Sequence, residues 1–179
     1  LRHDSIANQE NFFYQVFPDK IDTGVNKPNT IDWLLSRTRD GSKINAPREL
    51  IHFLNCLRDA QVNRFELGSE PTPEGKHLFA RVAFKEALPE VSKVRLEQTI
   101  YAENPLMKKW LEMLRGEKAT QSPTTLASVW GTSEEEAIQR AISLVGIGFF
   151  EQRGQRQSHE YWVPFLYRDS LDLVQGSAQ

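Results

Sequence analysis

The chain has 179 residues, 39% of them hydrophobic, with ten Phe, four Trp and four Tyr, which excludes a disordered chain and allows one domain or two small ones. The formal charge is -2, from 22 basic and 24 acidic residues. Divided after Pro89, the first part holds 12 of each and the second 10 basic and 12 acidic, so neither has the basic excess of a dedicated nucleic-acid binder, although a small patch can hide in a neutral average.

The only cysteine, Cys56, rules out an internal disulfide, and there is no apolar run of membrane-spanning length and no signal-peptide pattern. The expectation is a cytoplasmic protein with no membrane partner. The opening "LRHDSIANQE" lacks an initiator Met and reads as a fragment of something longer or a trimmed product.

In chain order, "NQENFFYQVFPDKI" predicts a helix ending near Pro18, and "DTGVNKPNT" a loop. "IDWLLSRTR" predicts a short helix capped by Asn29 or Thr30, broken by "DGSKIN". From Pro47 an apolar stripe of Leu50, Leu54 and Leu57, widened by Ile51 and Phe53, predicts a helix that fades into "DAQVNRFELG". After the loop "GSEPTPEG", two helices are expected, "KHLFARVAFKEAL" and "EVSKVRLEQTIYAEN", separated at Pro89. "PLMKKWLEMLRG" starts at Pro105 and stops at Gly116, with Leu106, Trp110, Met113 and Leu114 on one face.

The last sixty or so residues change character. "TTLASVWG" predicts a short helix ending at Gly131. A longer one, "TSEEEAIQRAISLVGIG", follows with Thr132 and Glu135 spaced as a capping box, and with Ala137, Ile138, Ala141, Ile142 and Val145 as its buried face. "FFEQ", the polar loop "RGQRQSH" and "EYWVPFLY" predict a β-hairpin. The expected fold is mainly α: a helical lid-like bundle over 1–103, then a winged helix-turn-helix with a C-terminal β-hairpin over 104–179.

No catalytic constellation is complete. His3, His52, His77 and His159 are scattered, and no H-E-x-x-H, C-x-x-C or G-x-S-x-G occurs. His52 and Cys56 have the spacing to share a ligand, but one on the surface and one in the core is the simpler arrangement. "PEGKH" lacks the upstream glycine and following Ser/Thr of a phosphate loop. No catalytic and no metal-binding residues are assigned.

Among binding candidates, the second helix of the turn motif opens with Glu134, Glu135 and Glu136, which repel a phosphate backbone while satisfying a helix N-terminus. Arg140 sits one turn on. The wing offers Arg153 and Arg156, with Gln155 and Gln157 around Gly154, for a contact with DNA or RNA, against the plainer reading of a solvated tip. Arg37 and Arg39 fit a solvated helix end. Arg48 stands in a first helical turn, where a cation is disfavoured unless an anion compensates. A phosphate and a salt bridge to Asp40 or Glu49 both meet that need, and spacing leaves the two open.

The run "WLLSRTRDG … APRELIHFLN" resembles the lid region of a family of bacterial P-loop ATPases, similar in layout to AAA+ and STAND ATPases. In such proteins a Pro-Arg or Gly-x-Pro element opens a lid helix, and its arginine, called sensor 2, reaches the nucleotide phosphates. The resemblance implies that role for Arg48, positioned by Pro47, with Arg37 and Arg39 as further nucleotide-sensing candidates. "LASVWGTSEEEAIQRAISLVGIGFFEQRG" and "YWVPFLYRDSLDLVQG" are similar to the winged-helix ending of those ATPases, so the likeness runs from about residue 9 to 176.

The Walker elements are absent from this sequence. The resemblance therefore implies a regulatory C-terminal portion that couples nucleotide state to a protein partner or nucleic acid. It would not be catalytic alone, and the N-terminal ATPase core of the full-length protein would bind ATP and magnesium. The alternative class is a stand-alone winged-helix regulator that binds nucleic acid through its wing. A third reading makes the acidic helix and the aromatic hairpin a protein-interaction surface.

Overall fold

The computed structural model describes residues 6–154 and 159–178. It is mainly helical, with one small sheet. Helix α1 (Ile6–Val16) ends before Pro18; its Phe13 packs on Phe17, just past the helix, which in turn meets Phe79 and Phe84. Helix α2 (Thr30–Thr38) is capped by Asn29, whose Oδ1 accepts from the Asp32 N–H at 2.8 Å. Its Trp33 is buried against Phe53 and Phe84 and donates through Nε1 to Asp22 at 3.0 Å.

Helix α3 (Pro47–Glu66) is longer than its sequence pattern suggests. Its buried face is Glu49, Phe53, Leu57, Gln61 and Arg64, while Leu50 and Leu54 are half-buried and Ile51 is exposed. The expected leucine stripe is thus rotated. Polar Gln61 and Arg64 are drawn inward because each has backbone to bind. Gln61 Oε1 accepts from the Ala80 N–H at 2.7 Å, and Arg64 donates to the Pro71 carbonyl at 3.0 Å and to Glu86 at 2.7 Å.

The two helices expected around Pro89 are one. Helix α4 (Arg81–Arg95) runs through the proline and continues as a π-helical segment from Leu96 to Tyr101. An interior proline forfeits one backbone hydrogen bond, at a cost of about 3 kcal/mol. Ala83, Phe84, Ala87 and Val91 are all buried on the face that packs against the rest of the core, and this shared burial on both sides of an exposed Pro89 holds the helix together.

After a single 3-10 turn at Pro105–Met107 come α5 (Lys108–Glu112), β1 (Lys118–Gln121), α6 (Pro123–Trp130) and α7 (Glu134–Gly146). Then follow β2 (Glu151–Arg153), β3 (Glu160–Trp162), α8 (Phe165–Arg168) and β4 (Val174–Ser177). The strand order is β2-β3-β1-β4, with β1 antiparallel to β3 and parallel to β4. The hairpin was expected, whereas β1 and β4 were not: four residues with little alternation carry too weak a period to be seen.

Three local expectations change. The N-cap of α7 is Ser133, whose hydroxyl accepts from the Glu136 N–H, while Thr132 donates to the Glu136 carboxylate. A capping box forms instead at Ser122 and Thr125 on α6. The buried face of α7 is Ala137, Ala141 and Leu144, with Ile142 half exposed, and on the preceding segment Leu111 and Leu114 are buried while Leu106 points to solvent.

One cluster of buried apolar side chains runs from Ile21 to Leu171, continuous across the boundary read at residues 103 and 104. The loop Asp40–Asn45 ties the first helices to the hairpin. The Gly41 N–H donates to the Gly148 carbonyl at 2.6 Å, and Lys43 pairs with Glu151 at 3.5 Å. A Cβ on Gly41 would lie 2.9 Å from the Gly148 oxygen and closer still to the Phe150 carbonyl. Both are backbone atoms that cannot swing aside. Gly41→Ala is therefore expected to lower unfolding free energy by about 2 kcal/mol or more, read as a shifted urea midpoint.

Candidate functional site

The start of α3, the end of α4 and the π-helical segment border an open cavity of about 240 Å³, lined by Arg48, Glu49, His52, Val94, Arg95, Gln98 and Thr99. A π-helical turn displaces side chains from the ordinary helical register, and such turns recur at functional sites. Here it brings Thr99 opposite Arg48.

The floor of the cavity is an ion-pair network. The Glu49 side chain is 5% exposed and accepts from Arg95 at 3.0 Å and from Arg48 at 3.3 Å. Arg95, 13% exposed, also faces Asp40 at 3.7 Å. Asp40 is held in turn: its Oδ1 accepts from the Ser42 N–H at 2.9 Å and from the Ser42 hydroxyl at 2.6 Å. Tyr167 of α8 lies beside Arg95, and burial pushes its phenol up to about 12, with Arg95 opposing the rise.

Arg48 forms the rim. Its side chain is 71% exposed, and its contacts, 3.3 to 3.4 Å to Glu49 and 3.3 Å to Thr99 Oγ1, are long. The Arg48 end of this pair is open to solvent and its contacts are long, so the guanidinium is weakly held compared with Arg95. Of the partners that spacing left open, Glu49 is the one in contact, but it is a buried carboxylate that Arg95 already satisfies. Nor does any side chain cap α3, which begins after Ala46. The arrangement offers an oxyanion one exposed guanidinium, set in front of two carboxylates that share the buried Arg95.

The other arginine candidates lie elsewhere. Arg37 sits 3.7 Å over the Phe165 ring and 4.9 Å over Trp33, away from the cavity, and Arg39 is half-buried in a backbone bridge with Asn45. Arg140 pairs with Glu136 and lies 5.1 Å over Trp110. Arg153 pairs with Glu151 at 2.9 Å and stacks 3.7 Å over Trp162. Arg156 falls outside the described residues, as do Gln155 and Gln157. His52 and Cys56 share one helix face, with the sulfur 3.7 Å from Nε2, and burial raises the thiol pKa. Among the described residues, no three His, Cys, Asp or Glu side chains are placed to hold a metal ion, and no helix is long and apolar enough to cross a membrane.

Sequence reasoning singled out Arg48 and offered Asp40 or Glu49 as a partner beside a phosphate, but missed Arg95, Thr99, Gln98 and Tyr167. Nothing in chain order links residues 95 and 167 to residue 49. No family model, curated protein or solved structure matches this chain.

Two outcomes test the network. Glu49→Gln leaves Arg95 buried with one distant carboxylate and is expected to cost about 3 kcal/mol in urea unfolding. Tyr167 holds its proton to about 12 in the folded state, against 10.0 for the ordinary phenol. The folded chain then binds more protons than the unfolded one between these values. Its contribution to stability is complete below pH 10 and is lost as pH rises toward about 12. Tyr167→Phe should flatten that alkaline decline without abolishing it, because the Tyr14, Tyr101 and Tyr161 phenols are also raised, chiefly by burial.

Proposed function

We propose that this chain is the regulatory C-terminal portion of a P-loop ATPase, in which the helical segment acts as a lid and Arg48 contacts the phosphates of a nucleotide held by a preceding core. The observation that carries this reading is the contrast within one cluster: Glu49, Arg95 and Asp40 are largely buried, whereas Arg48 reaches out 71% exposed on weak contacts. A guanidinium that stays charged and donates through a planar fork suits phosphate oxygens.

The order of α5, β1, α6, α7 and the β2–β3 hairpin supports a winged-helix reading of the C-terminal part. In this proposal the winged helix is the output. The route to it starts at Arg48 and passes through Glu49 and Arg95 to Tyr167 on α8 and, through Asp40 and Gly41, to the base of the hairpin. ATP and magnesium belong to the core: this chain contributes one arginine to phosphate recognition, and the phosphate loop and magnesium ligands come from elsewhere. Without those groups it does not stabilise the charge of phosphoryl transfer, so the isolated chain is not a catalyst. A nucleic-acid contact led by α7 is not part of this reading, because Glu134 is bonded by Thr124, and Glu136 by Thr132 and Arg140.

The test uses a protein that joins this chain to its core. Arg48→Ala should weaken nucleotide binding by about tenfold or more, the worth of a charge-assisted hydrogen bond, with the melting temperature little changed because the side chain is exposed. Arg48→Lys should recover part of the loss. Unchanged nucleotide affinity and turnover in Arg48→Ala would overturn the assignment.

A further inference from the structure

Arg168, at the end of α8, is left unexplained by the lid reading. It is 7% exposed, yet no carboxylate of the described residues pairs with it. Its Nε donates to the Val163 carbonyl at 2.9 Å and Nη1 donates to Gln175 Oε1, while Nη2 is buried without a hydrogen-bond partner. A buried, charged guanidinium without a carboxylate is costly.

Its neighbours make the imbalance larger. Arg168 lies 4.2 Å over the Phe165 ring and 4.7 Å over Trp162. Arg37 takes the Phe165 ring at 3.7 Å, and Arg153 takes Trp162 at 3.7 Å. The two rings meet edge to face with centroids 5.5 Å apart. Three guanidiniums and two rings therefore alternate in a row: Arg37, Phe165, Arg168, Trp162, Arg153. Burial, and then the positive charges of Arg37 and Arg153, bring Arg168 down to about 10. Against them stand Glu151, which Lys43 shares with Arg153, an exposed Asp169 facing Arg37 and Arg168, and Asp22, which faces Arg37 and is shared with Lys85.

We propose that this row is a phosphate-binding strip for the backbone of a single nucleic-acid strand. Stacking on a ring orients a guanidinium without removing its charge, and the planar fork fits a phosphate group. The two outer cations stack on different rings, Arg37 on Phe165 and Arg153 on Trp162, which suits successive phosphates of a chain better than one free ion. Arg37 and Arg153 make the outer contacts, and Arg168 between them locks both rings and holds the local potential positive. The strip stands at the base of the hairpin, owes nothing to the acidic end of α7, and does not rest on the role given to Arg48.

The full chain is titrated into a fluorescein-labelled single-stranded oligonucleotide, with anisotropy read over a salt series and inorganic phosphate as the competing probe. The expected result is binding whose logarithm falls linearly with log salt, by about 0.7 per phosphate contact. Arg37→Gln and Arg153→Gln should each remove about one contact from that slope. Arg168→Lys keeps the charge but loses the stacked fork, and should weaken binding with the slope retained. Melting curves confirm that each variant is folded. Arg140→Gln should leave binding unchanged. Absence of salt-dependent binding would overturn the proposal. So would binding unaltered in the Arg37→Gln, Arg153→Gln double variant, or inorganic phosphate saturating the site as tightly as the strand.

Discussion

The Glu49 carboxylate is the constraint around which the molecule is arranged. At 5% exposure it would be costly to bury without partners, and Arg95 at 3.0 Å supplies the nearest one. That pair fixes the first turn of α3 against the last turn of α4, the two longest helices. Because Arg95 also faces Asp40, the same cation draws in the loop before α3, and Tyr167 of the short helix α8 lies beside it. Burying such a network is costly, and its specific geometry ties four segments far apart in sequence to one arrangement.

Arg48 follows from that arrangement. A cation in the first turn of a helix meets the positive end of the macrodipole, and a fully buried Glu49 that already has Arg95 gives it only a share of one carboxylate. The open cavity beside it exists because α4 does not end cleanly: its π-helical continuation swings Gln98 and Thr99 toward Arg48. The aromatic–arginine row around Arg168 is a second consequence of close packing between ends of the chain, since α2 contributes Arg37 while α8 and the hairpin contribute the rest.

Much of the architecture was legible where a residue type has one local use. Asn29 capped α2, Pro47 opened α3, and Gly131, at a φ of 61°, ended α6. The pattern misled where tertiary burial outweighed local preference. Pro89 read as a break because its missing N–H costs a hydrogen bond, yet apolar residues on both sides of it share one buried face. Ile142 read as core by spacing and is half exposed, while Leu144 took its place, because α7 turns the Ala137–Ala141 stripe inward.

The sequence by itself determined the mainly helical class, the hairpin near the end and the anomaly of Arg48, since each depends on interactions within a few residues: capping, period and macrodipole. Only the tertiary structure decided what surrounds that arginine. Arg95 and Tyr167 lie 46 and 118 positions beyond Glu49, and no local rule relates such distances along a chain. The same holds for Gly41, whose necessity comes from the Gly148 and Phe150 carbonyls pressed against it, and for the three arginines that packing brings to one pair of rings. Long-range burial sets those meetings, and it is a property of the folded chain as a whole.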